Sequence, residues 1–428
     1  MGRFYLKSFG CKVAQYDGQG LREQFIRAGW VEIPVPEGAD LLAVNFCVVT
    51  GRSASRCLRI LKSLVRRQPS ARVVVSGCLG AEEKAKVCAA CPEAIVLDSE
   101  NARNRLDELL PHDPAGETWP GGVQGLEGRA RAFIKVQDGC NLKCTYCIIP
   151  SIRGRERSRP VDDIINEARR LIDAGFRELV ICGIRLGGYR HENLRLHGLI
   201  EEVLRRIPGV FRLRLSSLNP AEVTPALLEI MAHDPRVAKH LHLPLQSGDR
   251  EILKRMKRPY SPARFLSKVD EIRGTLSNPA LSTDLMVGFP GENDAAFQAS
   301  LDLIEKAGVS RVHVFPYSLR RNTVAAGLEQ VPDGVKTERV RLAQEMAGRL
   351  KESYDRACLG SVAKVLIEEM EGRGNGLPEG LTSRYQKAVV PGLDPARGAG
   401  IFVRVKLKDY KAGLFTGSVC SETHHERQ

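Results

Sequence analysis

The chain has 428 residues, of which 43% are hydrophobic, and lysine and arginine exceed aspartate and glutamate by 13. This length predicts two or three domains, and the lack of any apolar run of about 20 residues excludes a membrane-spanning helix. The excess of positive charge favours a polyanionic partner. No secretion signal is visible, so we expect a cytoplasmic protein whose twelve cysteines are metal ligands or buried thiols.

The first part of the chain alternates short apolar segments with amphipathic ones. The predicted elements are strands at 4–9, 40–46 and 72–76 and helices at 15–28 and 53–67. This alternation predicts an open parallel α/β sheet within residues 1–112. Cys11, Cys47 and Cys78 each follow the carboxyl end of a different strand. Such ends share one edge of a parallel sheet, so the three thiols should converge and could hold an iron-sulfur cluster. The alternative is that each is an ordinary buried cysteine.

A second set of cysteines follows a segment rich in Pro, Gly and Glu, which predicts a linker over residues 113–128. Cys140, Cys144 and Cys147 form a C-x3-C-x2-C motif without a fourth cysteine close by. Three thiolates can hold a 4Fe-4S cubane by three irons and leave the fourth iron open to a small molecule. The alternatives are a zinc site with a distant fourth ligand, or three unrelated buried cysteines.

The central part of the chain predicts a partial (β/α)6 barrel over residues 129–357. Its six predicted strands lie at 133–137, 177–182, 212–217, 240–246, 281–287 and 311–317. Helical segments separate most of them, which is typical of parallel strands. Small and polar residues follow the strand ends, where a backbone can approach a ligand closely and a hydroxyl can bond it. The candidate cofactor-binding residues at these ends are Gly183, Ser216, Ser217, Gln246 and Gly288.

After a predicted amphipathic helix at 336–358, the pattern changes to short alternating strands. These lie at 362–369, 382–390, 401–407 and 414–419 and predict a small β-barrel over residues 358–422. Barrels of this kind commonly bind RNA through a basic face, for which Arg384 and Lys406 are candidates. The alternative is a charged surface exposed to solvent.

Four arginines follow the C-x3-C-x2-C motif at every second position. They are Arg153, Arg155, Arg157 and Arg159. A series of guanidinium groups beside a reacting centre suits contacts to RNA phosphates. The alternative is that some of them form ion pairs within the domain, with Glu156, Asp162 or Asp163 as partners.

The motif around Cys140, Cys144 and Cys147 resembles the signature of the radical S-adenosylmethionine (SAM) enzymes. The resemblance implies that SAM binds the open iron, and that the reduced cluster cleaves SAM to methionine and a 5'-deoxyadenosyl radical. Tyr146 stands where these enzymes have an aromatic residue whose backbone lies beside the adenine of SAM.

Over nearly the whole chain, the order of segments resembles the methylthiotransferase family. The resemblance implies an amino-terminal domain with an auxiliary 4Fe-4S cluster, a central radical SAM domain and a carboxyl-terminal TRAM domain. Cys11, Cys47 and Cys78 match the auxiliary cluster ligands. Ala14 and Phe46 replace the asparagine and threonine that the family usually has beside two of them, which changes polar contacts without removing a ligand.

Within that family, the sequences GCKVAQY at 10–16 and HVFPYSLR at 313–320 resemble the branch acting on N6-threonylcarbamoyladenosine beside the tRNA anticodon. IPSIRG at 149–154 resembles the branch that modifies a ribosomal-protein aspartate. The arginine series favours a nucleic acid. The predicted reaction is transfer of a methylthio group to C2 of the adenosine by a transferase with two 4Fe-4S clusters and SAM.

This reaction implies tRNA, an external one-electron reductant and a sulfur source as partners. No side chain is assigned as a catalytic acid or base, because an aromatic C–H bond is not acidic enough for one. Nothing in the sequence requires more than a monomer. The alternatives are methylthiolation of a ribosomal-protein aspartate or of isopentenyladenosine in tRNA, and a non-catalytic iron-sulfur protein that binds RNA.

Overall fold

The amino-terminal part of the computed structural model is a parallel α/β sheet. Its elements are β1 (Arg3–Ser8), α1 (Lys12–Arg27), β2 (Val31–Glu32), β3 (Leu41–Phe46), α2 (Gly51–Arg67), β4 (Arg72–Gly77), α3 (Ala81–Ala90) and β5 (Ile95–Val96). The strand order is β2-β1-β3-β4-β5, and every pair is parallel. β3 is buried along its whole length because Leu42 and Val44 pack against α2 and Leu41 and Ala43 pack against α1. The predicted open sheet is confirmed.

The structure describes residues 2–97, 105, 109–110, 122–125, 130–372 and 376–420. The predicted linker over residues 113–128 lies outside the described residues except at 122–125. None of the helices among the described residues is long and apolar enough to span a membrane.

The central part of the chain is a partial barrel of six parallel strands. These six strands are β6 (Arg131–Asp138), β8 (Glu178–Gly183), β11 (Arg212–Leu215), β12 (His240–His242), β13 (Ala280–Val287) and β14 (Arg311–Pro316). Three short strands accompany them, namely β7 (Arg157–Ser158), β9 (Arg190–His191) and β10 (Leu194–Arg195), of which β9 and β10 form an antiparallel pair. β6, β8 and β11 form one parallel sheet with β7 antiparallel at its edge, and β12, β13 and β14 form another. A parallel bridge from Ser217 to His242 joins the two sheets, which confirms the predicted barrel.

Helices cover the outside of this barrel. They are α5 (Val161–Asp173), α6 (Leu196–Arg206), α7 (Pro225–His233), α8 (Arg250–Arg255), α9 (Pro262–Thr275), α10 (Asp294–Ala307) and α11 (Asp333–Ala357), with 3-10 turns at Leu186–Gly188, Pro220–Glu222 and Val324–Gly327. The short helix α4 (Ile149–Arg153) instead packs against the amino-terminal domain through Ile152, and a further 3-10 turn at Pro395–Arg397 belongs to the carboxyl-terminal part. On the inner side, α1 of the first domain packs against β6 and β8 through Val13 and Tyr16, which contact Phe133 and Val180. The amino-terminal domain therefore covers part of the barrel lumen.

The carboxyl-terminal part is a closed five-stranded barrel in the order β15-β16-β17-β19-β18. Its strands are β15 (Val362–Glu369), β16 (Glu379–Thr382), β17 (Lys387–Val389), β18 (Phe402–Lys411) and β19 (Leu414–Val419). The predicted small barrel is confirmed, but the single strand predicted at 382–390 is wrong. A turn divides it, and at this turn Tyr385 has a φ of 63° that no strand residue adopts.

Buried charges fix this turn to the central barrel. Glu178 is fully buried and pairs with Arg212 and Arg214, and Arg214 donates to the carbonyls of Thr382 and Ser383. Burial alone would raise the pKa of Glu178, but the two guanidinium groups outweigh it and lower that pKa to about 2. The interaction holds the carboxyl-terminal barrel against the amino-terminal ends of the central strands.

Candidate functional site

A cavity of about 840 Å³ occupies the lumen of the central barrel. All three domains line it. Cys11 comes from the first, His242 and Asp284 come from the barrel wall, and Arg384 and Tyr385 come from the last. A cavity of this size is within the range of ligand sites in proteins.

The C-x3-C-x2-C motif forms a loop after β6 whose backbone points donors at sulfur. The N–H of Leu142 donates to Cys140 Sγ at 3.4 Å, and the N–H of Ile149 donates to Cys147 Sγ at the same distance. Such donors stabilise a thiolate over a thiol. Burial, as the main cause, raises the pKa of Cys147 to about 11, so that metal binding would release its proton.

Arg258 donates to the remaining sulfur of this loop, Cys144 Sγ, at 3.7 Å. Its other nitrogens donate to Asn219 Oδ1 at 2.5 Å and to the Tyr260 hydroxyl at 3.1 Å. Sequence analysis missed Arg258 because it lies more than a hundred residues from the motif and belongs to no recognisable pattern. Each of the three sulfurs thus has a hydrogen-bond donor.

Cys11, Cys47 and Cys78 lie at one edge of the amino-terminal sheet. Phe46 of β3 pairs with Gly77 of β4, and Cys47 and Cys78 are the residues that follow them. Cys11 occupies the N-cap position of α1. The chain passes so closely here that a Cβ on Gly10, whose φ is 109°, would lie 2.7 Å from Cys47 Cβ. Burial raises the pKa of Cys78 to about 11, against the effect of Arg153 and with a contribution from Cys11 and Cys47.

No group of three His, Cys, Asp or Glu side chains in the described part of the chain is close enough to hold a single metal ion. This does not conflict with a cubane, because each cysteine of a cubane binds a different iron. The two sets of cysteines, with the donors around their sulfurs, fit iron-sulfur clusters better than a zinc ion.

Arg153 bonds a cysteine of the first set, and the carbonyl of the next residue, Gly154, accepts the N–H of Cys140 at 3.1 Å. The Nε and Nη2 of Arg153 donate to Cys78 Sγ at 3.3 and 3.2 Å, and its Nη1 donates to Asp17 Oδ2 at 2.6 Å and to Asp138 Oδ2 at 3.4 Å. Lys135 pairs with the same two aspartates. The predicted RNA contact of Arg153 is therefore wrong, since its guanidinium group is buried and bonded within the protein.

Arg159 is also buried, and its predicted RNA contact is wrong for the same reason. It pairs with Glu167, which is fully buried, and donates to the Tyr16 hydroxyl at 3.1 Å. Arg155 and Arg157 are exposed. Strand alternation alone would place Arg157 and Arg159 on the same side. β7 ends at Ser158, however, and Arg159 turns inwards to Glu167 while Arg157 stays exposed, which the even spacing of the four arginines did not predict.

Two of the predicted cofactor-binding residues carry buried polar atoms without a partner among the described residues. These atoms are Ser216 Oγ and Gln246 Oε1. Gln246 also has a φ of 72°, an uncommon conformation for a residue with a side chain. Ser216 and Ser217 both line the cavity. Unbonded buried groups of this kind fit a polar ligand such as SAM.

The remaining predicted cofactor contacts lie around the carboxyl ends of the strands. Gly183 is the last residue of β8, and a Cβ added to it would lie 3.0 Å from the side chain of Gln137. Gly288 has a φ of 71°, and its N–H donates to Glu292 Oε1 at 2.7 Å. Tyr146 is half-buried, and its ring meets that of Phe289 edge to face at 6.3 Å.

The two cations predicted to bind RNA in the last domain differ in position. Arg384 lines the barrel cavity, and its Nε donates to the carbonyl of Asn278 at 2.9 Å. Lys406 is exposed on β18 with Arg404 and Lys408, on the side opposite to the buried Val405. The structure therefore separates these two residues onto different surfaces.

One further cysteine lies near Cys11 of the first set. Cys182 is buried on the lumen side of β8, and burial together with the nearby Cys11 raises its pKa. Cys88 and Cys91 form the C-x2-C pair at the end of α3, where Cys88 is exposed and Cys91 is buried. Both are free thiols.

Comparisons with known proteins match most of the chain. The Radical SAM superfamily matches residues 134–304, and Uncharacterized protein family UPF0004 matches residues 3–98. The chain is 38% identical over 374 residues to Threonylcarbamoyladenosine tRNA methylthiotransferase MtaB of Chlamydia pneumoniae, covering 87% of this chain and 88% of that protein. It is 31% identical to the protein of the same name in Bacillus subtilis, covering 98% of both. A tRNA-2-methylthio-N(6)-dimethylallyladenosine synthase of Maricaulis maris is 29% identical and covers 97% of both.

Among solved structures, the chain is similar to the radical S-adenosylmethionine methyltransferase TsrM from Kitasatospora setae. The TM-score is 0.56 at 13% identity, and the match covers 76% of this chain and 77% of that one. At this identity the likeness concerns the fold.

Proposed function

The chain belongs to the radical SAM tRNA methylthiotransferase family, and we propose that it adds a methylthio group to C2 of N6-threonylcarbamoyladenosine beside the tRNA anticodon. Two relatives named for this substrate, of which the chain covers 88% and 98%, support the choice. The observation that carries the proposal is the position of Arg153. It bonds Cys78, and the carbonyl of the next residue, Gly154, accepts the N–H of Cys140, which supports a shared site for the two sets of cysteines.

We assign a radical-generating 4Fe-4S cluster to Cys140, Cys144 and Cys147, and an auxiliary 4Fe-4S cluster to Cys11, Cys47 and Cys78. The proposed division of the chain is residues 1–112 for the auxiliary domain, 129–357 for the radical SAM domain and 358–422 for the TRAM domain. When bound, SAM and the clusters supply the radical that removes the C2 hydrogen and the methylthio group that replaces it.

The side chains of the protein position these groups. Arg258 and Arg153 donate to Cys144 and Cys78, and donors to sulfur tune a cluster. Helix α1 covers part of the lumen through Val13 and Tyr16, which pack against Phe133 and Val180. No acid or base at C2 is required, because the radical replaces proton abstraction.

An adenosine in an anticodon loop must leave its stack to enter the lumen. The exposed Arg155 and Arg157 follow the cluster loop and could contact phosphates near the entrance. We assign further phosphate contacts to Lys406 and its exposed neighbours Arg404 and Lys408 on β18. An external one-electron reductant and a sulfur source complete the set of partners, and we expect a monomeric cytoplasmic enzyme.

Mass spectrometry of tRNA nucleosides tests this function. Anaerobically reconstituted protein, given SAM, a reductant and tRNA bearing N6-threonylcarbamoyladenosine, should yield the 2-methylthio nucleoside. A Cys140→Ala variant provides the matched control because it retains the auxiliary site. Ribosomes offered in place of tRNA should gain no methylthio mass. Product on ribosomal protein and none on tRNA would contradict the proposal.

A further inference from the structure

One wall of the barrel lumen is polar. It consists of alternate residues of three neighbouring strands, namely His240 and His242 of β12, Ser282 and Asp284 of β13, and Arg311 and His313 of β14. The parallel register sets Ser282 beside Arg311 and Asp284 beside His313. The residues between them, such as Val312 and Val314, pack into the core under the helices. Strand alternation thus directs every polar group of this wall to the cavity.

Most of the charged groups around this cavity are neutralised within the protein. Arg131 pairs with Glu368, Lys351 with Asp355, Lys387 with Glu379, Asp284 lies 3.2 Å from His242, and Arg384 donates to a carbonyl. Lys12 and Arg311 also line the cavity. Neither side chain makes a hydrogen bond or ion pair with any residue that the structure describes. Two positive charges therefore face the lumen without a partner in the described part of the chain.

Burial and these two positive charges lower the pKa of two histidines of the wall, His240 and His313. Burial lowers the pKa of His313, and His242, Arg311 and Lys12 lower it further, while Asp284 opposes them. Burial also lowers the pKa of His240, with contributions from Arg214, His242, Lys12 and Arg311. His240 and His313 are consequently neutral hydrogen-bonding groups at neutral pH, whereas Lys12 and Arg311 are permanent cations of the cavity.

We propose that Arg311, together with Lys12, binds the carboxylate of the threonylcarbamoyl group, so that the lumen selects an adenosine with an acidic N6 substituent. A guanidinium group suits a carboxylate because it can donate two parallel hydrogen bonds. An apolar substituent offers neither cation an acceptor and therefore gains no charge-assisted hydrogen bond here. This inference rests on the proposed function and adds a substrate-selecting site to it.

The test compares two anticodon stem-loops, one with N6-threonylcarbamoyladenosine and one with its methyl ester, which removes only the negative charge. Wild-type protein should bind and methylthiolate the free acid in preference to the ester. Arg311→Met should lose about 10- to 100-fold in affinity for the free acid, as expected for a charge-assisted hydrogen bond, and little for the ester. Arg311→Lys should recover part of the preference, and Lys12→Met should reduce it.

Lys387→Met is the matched control. It removes a positive charge from the same cavity, but Glu379 already neutralises that charge, so the preference for the free acid should remain. Iron content and thermal unfolding verify that each variant is folded. Equal use of acid and ester by wild-type protein, or an unchanged preference in both Arg311→Met and Lys12→Met, would overturn the carboxylate site alone. Absence of methylthio product from wild-type protein with the free acid would instead overturn the proposed function.

Discussion

Replacing Arg153 by glutamine removes a buried cation from between two aspartates and a cysteine. The guanidinium group bonds Asp17, Asp138 and Cys78, and only 9% of the residue is exposed. Removing one partner of a buried ion pair costs about 3–5 kcal/mol. Lys135 remains beside both aspartates, so we expect the lower end, about 3 kcal/mol. Part of this loss comes from Asp17, whose pKa is held down by Lys135 and Arg153 against the effect of burial.

Arg159→Gln is the matched control for this change. Arg159 is also buried, at the same domain boundary, and pairs with Glu167, but none of its hydrogen bonds to the described residues goes to a cysteine. Thermal or urea unfolding should show both variants destabilised. Electron paramagnetic resonance then reports on the auxiliary cluster, with Cys140 also replaced so that the signal of this cluster dominates. The spectrum should change in Arg153→Gln and stay the same in Arg159→Gln.

The reasoning would be refuted if Arg153→Gln unfolded within about 1 kcal/mol of wild type and left that spectrum unchanged. Equal spectral changes in both arginine variants would also contradict it, because a general loosening of the boundary would then explain the result.

Three other outcomes follow from the structure. Two cubanes give about 8 irons per chain, and Cys140→Ala should leave about 4 and abolish SAM cleavage, as measured by iron analysis and chromatography. The pKa of Glu178 is lowered from 4.5 to about 2, so its ion pairs should contribute about 3 kcal/mol above pH 4.5 and lose this as the pH falls towards 2. Glu178→Gln should unfold more easily at pH 7 and show a flatter stability profile in acid; a profile as steep as that of wild type would count against this pair. Lys406→Ala should weaken tRNA binding. It should also make the plot of log affinity against log salt concentration less steep, by the slope expected for about one phosphate contact. The control Lys387→Ala should do neither, because Glu379 already pairs with Lys387.

Local spacing and strand order sufficed for the framework of the site. The C-x3-C-x2-C motif defines its loop within eight residues, from Cys140 to Cys147, and needs no information from elsewhere in the chain. Cys11, Cys47 and Cys78 were expected at one edge because the carboxyl ends of parallel strands always share an edge. The sheet, the partial barrel and the small terminal barrel follow from hydrophobic periodicity in the same way.

The fate of individual charges depended on the tertiary structure. Even spacing made Arg153, Arg155, Arg157 and Arg159 equivalent in the sequence, but the first turns inwards to Asp17 of a distant segment and the last to Glu167 of the next helix. Likewise Arg311 and Lys12 are almost three hundred residues apart, and only the packing of α1 over the barrel brings both to one lumen. The periodicity of a sequence predicts which face of a helix or strand is polar. The partner of a given charged side chain depends instead on how distant strands align and how the domains dock.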